Sequence, residues 1–110
     1  MPSEKSKLIL NKGIFMFIIS LTYRSTLEEI DKHLEAHSRY LKTQYENGSF
    51  IMSGRKVPRT GGIILSNLKT RMEVEETIEK DPFKIAGLSE YDIIEFTPTM
   101  FAEGFDKLIL

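Results

Sequence analysis

His37 is the first residue to weigh for chemistry. It lies in the run from Ser25 to Gly48, where Leu27, Ile30, Leu34, His37 and Leu41 recur at spacings of three and four. That is one face of an amphipathic helix, and a leucine would pack there equally well. An imidazole changes charge near neutral pH and can take or give a proton. Asp81, directly before Pro82, is the second. A carboxylate bonded to one imidazole nitrogen fixes the tautomer and leaves the other nitrogen for proton transfer. Each residue also has a plainer reading. A lone histidine on an apolar face packs in a core, and Asp before Pro caps a helix start. The two roles of Asp81 are compatible, since one oxygen can accept a backbone N–H while the other meets His37.

Other polar residues could bind rather than react. Arg55, Lys56 and Arg59 form a basic loop that could guide an anionic substrate such as a carboxylate. Its plainer reading is a solvated hairpin turn. Ser53, beside Gly54, could hydrogen-bond a substrate, but no nucleophile-elbow pattern surrounds it. Tyr91 could line a pocket with Tyr23, or both could fill the core. His33 and His37 are four apart, a spacing that can hold a metal. A catalytic zinc needs three protein ligands, and the third would have to be Asp81 or Glu35. No metal site is expected.

The elements that would position these residues follow in order. Phe15 to Tyr23 is a strand with apolar side chains on both faces, hence central. The His37 helix follows, with a capping box at Ser25/Glu28 or Thr26/Glu29 and Gly48 at its end. Ser49 to Gly54 is a second strand, with Phe50 and Met52 on one face and Ile51 and Ser53 on the other. Pro58 and the Gly61-Gly62 pair make a turn, and Gly62 to Ser66 returns antiparallel. Thr70 caps a second helix that ends near Lys80. Asp81, Pro82 and Gly87 outline a miniature helix. Glu90 to Thr97 is the last strand. The order is β-α-β-β-α-β, the ferredoxin-like α+β arrangement, with two helices on one face of an antiparallel sheet. The other face is left apolar and uncovered, and the tail closes on Leu108-Ile109-Leu110, so a homodimer or higher homo-oligomer is expected.

Composition narrows the function classes. The chain has 110 residues, net charge −1 and no cysteine. That is one domain's worth, without the basic excess of a nucleic-acid binder. Disulfides, thiolate metal sites and a cysteine nucleophile are excluded, and a reducing cytoplasm is expected. The apolar run after Lys5, Lys7 and Lys12 is too short to span a membrane, and no small-residue cleavage site follows it. Residues 1–13 are expected to be a flexible extension, 14–100 the domain, and 101–110 a tail at the dimer interface.

His37…Leu41…Gly48, then Ser53-Gly54, Gly61-Gly62, Asp81-Pro82-Phe83…Ala86-Gly87 and Tyr91…Ile94…Phe96 resemble the YciI-like (YCII-related) proteins. The resemblance covers roughly residues 16 to 100. It implies a dimeric α+β barrel and a site built on a His–Asp pair, here His37 and Asp81. Some branches act on small, often aromatic or lactone-type compounds. This chain departs from the pattern twice: Arg55 stands where many members have Pro, and Leu34 where many have Arg. The combined expectation is a cofactor-independent enzyme that uses His37 and Asp81 for elimination or isomerisation of a small polar or aromatic compound. Ser53, Gly54, Arg55, Arg59 and Tyr91 would contact the substrate. The alternative is a non-catalytic dimeric module that binds a small ligand or a partner protein.

Overall fold

In a computed structural model the described residues are 6–8 and 15–109. β1 (Ser6–Leu8) pairs antiparallel with the late strand β6 (Met100–Ala102). That segment was expected in a flexible leader. Residues 1–5, 9–14 and 110 lie outside the described residues.

The main body starts with β2 (Met16–Tyr23), whose Phe17, Ile19 and Leu21 are buried against helices. Two helices follow, α1 (Leu27–Lys32) and α2 (Leu34–Glu46), where the sequence predicts one. Thr26 caps α1 by accepting the Glu29 N–H. The break falls at His33. Its N–H bonds back only three residues, to Ile30 O, and its Nδ1 meets the Glu29 carbonyl at 3.1 Å. A side chain that competes for a ladder carbonyl interrupts a helix in this way. Gly48 then takes φ +83°, the left-handed conformation that ends α2.

β3 (Phe50–Arg55) and β4 (Gly61–Ser66) form the hairpin. α3 (Arg71–Ile78) is capped by Thr70, and α4 (Pro82–Ile85) by Asp81. β5 (Ser89–Phe96) completes the sheet, and α5 (Asp106–Ile109) ends the described chain. The sheet order is β3-β4-β2-β5 and every pairing is antiparallel. Residues sharing a register pair point to the same face. Phe17, Ile19 and Leu21 therefore stand with Ile64, Gly62, Ile93 and Tyr91 beneath the helices.

Two expectations need correction. The dimeric α+β barrel is not what the chain forms: β3 and β5 are edges that do not pair, and the sheet stays open. A closed barrel needs its edge strands hydrogen-bonded into a continuous ring, and among the described residues neither β3 nor β5 has a second neighbour. The architecture is an open ferredoxin-like α+β sheet. The second correction concerns β3. A bulge lies between Phe50, opposite Ser66, and Met52, opposite Leu65, so Ile51 is an extra residue. Phe50 faces the core but Met52 does not; Ser53 and Arg55 face the helices instead, opposite Ile64 and Gly62.

Candidate active site

The site is built where α2, α4 and the β2–β4 floor meet. On α2, His37 is 9% exposed, and Asp81 at the head of α4 is fully buried. Their contact is direct: His37 Nδ1 lies 2.8 Å from Asp81 Oδ1. A carboxylate only accepts, so Nδ1 carries the hydrogen and the neutral ring keeps its lone pair on Nε2. Nε2 has no partner among the described residues and is not sealed from solvent. Asp81 Oδ1 also accepts the Phe83 N–H at 3.0 Å, so the capping role and the histidine contact coexist. Its other oxygen, Oδ2, accepts the Tyr91 hydroxyl at 2.7 Å. Three donors thus stabilise a carboxylate that water does not reach.

Packing holds the imidazole as firmly as the hydrogen bond does. The Phe83 ring stacks on it with centroids 4.0 Å apart and planes within 9°. Tyr40 stands on the same helix, its centroid 6.2 Å away, and anchors itself by donating to the Thr77 carbonyl at 2.7 Å. Burial raises the Tyr40 phenol above its ordinary range, and the Asp81 charge adds to this. The Tyr91 phenol is raised for the same two reasons, burial first.

A cleft of about 210 Å³ opens beside the ring. Leu34, Leu41, Leu21 and Phe83 give it apolar walls, and Ser38, Ser53 and Arg55 supply polar groups. Gly62 forms part of the floor, where an added Cβ would lie 3.0 Å from the Gly54 carbonyl oxygen. Gly61 is required for a different reason. A Cβ at that position would lie 1.9 Å from the Leu21 carbonyl oxygen, so only glycine lets the strands approach. Leu34 and Arg55 both face this cleft.

The site residues expected from sequence separate into groups. His37, Ser53, Gly54 and Arg55 line the cleft. The Arg55 side chain makes no hydrogen bond or ion pair among the described residues. Asp81 stands directly behind His37. Arg59 does not line the cleft: its guanidinium bonds Asp31 at 2.5 Å and sits 6.0 Å from the centre of the Tyr23 ring. The Arg59 bond, and then the field of Arg55, hold the Asp31 carboxyl below its ordinary range. Lys56 donates to Thr22 Oγ1. Tyr91 is not among the lining residues; Asp81 takes its hydroxyl. His33 turns to the Glu29 backbone, and no cluster of three His, Cys, Asp or Glu suited to a metal occurs among the described residues.

Sequence reasoning missed two members. Phe83 was visible as part of a turn, but its stacking on His37 was not. Tyr45 bonds the Ser53 hydroxyl. The signal for it was its place eight residues after His37, on the same helix face.

An antiparallel ferredoxin-like sheet with a buried His–Asp dyad on its helix-covered side defines a class of small α+β proteins. The YCII-related domain profile matches residues 15–97, and the chain belongs to that family. Among solved structures, it is similar to a 5-chloro-2-hydroxyhydroquinone dehydrochlorinase from Burkholderia phenoliruptrix, in complex with 2,5-dihydroxybenzoquinone. The identity is 22%, the TM-score 0.65, and the match covers 74% of this chain and 93% of that one. A conserved protein from Methanosarcina mazei Go1 shares 12% identity at TM-score 0.52, over 77% of this chain and 93% of its own. No curated protein matches the chain.

Proposed function

We propose that the protein is a cofactor-independent enzyme in which His37, oriented by Asp81, moves protons on a small polar aromatic compound. The observation that carries this is the 2.8 Å bond that commits Nδ1 to Asp81 while Nε2 is left for the cleft. A packed, singly oriented imidazole beside an open cleft is what general acid–base catalysis requires. Elimination or isomerisation fits best, because proton transfer is the chemistry this pair offers. His37 would take a proton from a substrate hydroxyl and return it at a ring carbon or to a departing group.

Apolar walls suit a ring, and Arg55 across the cleft suits an anionic substituent such as a phenolate or carboxylate. Ser53 and Gly54 would contact the same substrate from β3. The activity of the similar Burkholderia dehydrochlorinase makes a chlorinated hydroxyhydroquinone the first compound to test. Loss of HCl would be followed as chloride release together with quinone absorbance. Turnover that disappears in His37→Gln supports the reading. Binding without turnover across a panel of chlorinated and unchlorinated hydroquinones would favour a ligand-binding module instead.

A homodimer accompanies this reading. Met52, Ile63, Ile94 and Phe96 are exposed apolar residues on the sheet face opposite α1–α4. Replacing Ile94 by Glu is expected to shift the sedimentation coefficient to that of a monomer. No helix among the described residues is long and apolar enough to cross a membrane. The cytoplasm stays the proposed setting, as for the cysteine-free sequence.

A further inference from the structure

We propose that Tyr91 is a positioning residue that sets the pH window of the dyad, making the working unit Tyr91–Asp81–His37. This deepens the acid–base reading above and rests on it.

The geometry is linear in function. Asp81 binds His37 through Oδ1 and Tyr91 through Oδ2, at 2.8 and 2.7 Å. The carboxylate has no exposed surface, so water does not substitute for a missing donor. Tyr91 does not line the cleft, so it acts on substrate only through Asp81. Its phenol is held protonated by burial and by the Asp81 charge, and therefore remains a donor.

The sign of its effect follows from charge counting. With neutral His37 the pair carries one net negative charge; with a bound proton it carries none. A donor to Oδ2 favours the negative state more than the neutral one. Removing the Tyr91 donor should therefore favour the protonated pair over the pair with neutral His37. Other charged and titratable groups surround the unit. Tyr40 faces it from α2, Lys84 from α4 at 5.8 Å from the Tyr91 ring centre, and Glu79 from the end of α3. Tyr23 contacts Phe83 edge-on from β2, and Arg55 looks across the cleft from β3. None of these donates to Asp81, which separates Tyr91 from them.

The test is a His37 side-chain NMR titration on the full chain, which needs no substrate. In Tyr91→Phe the midpoint is expected to rise by about one pH unit, the size of one lost hydrogen bond to a charged group. The acidic limb of any activity profile should move with it. Tyr40→Phe, which removes a neighbouring hydroxyl not bonded to Asp81, should leave the midpoint in place. Site-specific 3,5-difluorotyrosine at position 91 keeps the shape and strengthens the donor, so it should lower the midpoint; this arm serves if Tyr91→Phe does not fold. A midpoint unchanged in either Tyr91 variant, or a shift as large in Tyr40→Phe, overturns the proposal. Since the readout is a titration, it stands or falls separately from turnover: a shift without activity removes the enzyme reading alone.

Discussion

The His37–Asp81 and Arg59–Asp31 pairs are each one nitrogen base against one carboxylate, and both lie close to the cleft. Asp81 is fully buried, takes three donors and fixes a ring whose far nitrogen is open. The Asp31 side chain is 53% exposed and pairs with a guanidinium that is itself spread over Tyr23. The first pair determines how a reactive group points. The second pins a hairpin to α1 and holds the Arg59 guanidinium against Asp31 and Tyr23, outside the cleft lining. Arg55, four residues earlier, keeps its charge for the cleft. Burial and donor count, not the presence of opposite charges, separate a chemical pair from a structural one.

The largest effect should come from breaking the buried pair. Asp81→Ala leaves the Tyr91 hydroxyl, the Phe83 N–H and His37 Nδ1 without their acceptor. A loss of about 3–5 kcal/mol is expected in urea unfolding, with turnover abolished. If Asp81→Ala unfolds at the wild-type midpoint, the buried pair is no more structural than the exposed one. His37→Gln comes next. It should keep the fold and lower kcat by about 10²- to 10⁴-fold, the range for a lost general base.

A third way to sharpen the contrast is alkaline pH. Tyr40 and Tyr91 have folded-state values above the ordinary phenol. The stability they supply is present below the ordinary range near about 10 and is lost as pH rises above it through the folded values. The wild-type urea midpoint should fall between about pH 9 and about pH 11, and a Tyr40→Phe/Tyr91→Phe double variant should show a flatter slope. Equal slopes would mean the buried phenols are not where the structure puts them. The smallest effects separate the two arginines. Arg55→Gln should raise KM for an anionic substrate on the order of tenfold with little change in kcat, as one charged hydrogen bond is lost. Arg59→Gln should change neither, and moderate salt should mimic it.

Local signals carried most of the fold. Thr26, Thr70 and Asp81 cap helices as their spacing suggested, and Gly48 and Gly87 take the left-handed conformation at helix ends. The central place of β2 followed from apolar side chains on both faces. The His37–Asp81 pairing was legible as a possibility, because one strand order brings α2 and α4 together. What stayed hidden were effects of contact. His33 interrupts the helix through a bond to its own backbone. Arg59 is claimed by Asp31, 28 residues away. Tyr91 reads as an alternating strand residue, and only the folded structure shows its hydroxyl donating to Asp81. The barrel inference failed because closure depends on edge pairing, not on the pattern within each strand.

The extra residue at Ile51 has a further meaning. Along β3, a regular alternation from Phe50 would send Met52 and Gly54 beneath the helices and Ser53 and Arg55 to the bare face. The bulge acts as a clutch, uncoupling the end of the strand that serves the core from the end that serves the cleft. The polar lining opposite His37 is thus encoded by a count of residues as much as by their identities. A relative that kept every side chain but ironed out this one step would present a methionine to the same dyad, and its cleft would have an apolar wall where this one has a serine and an arginine.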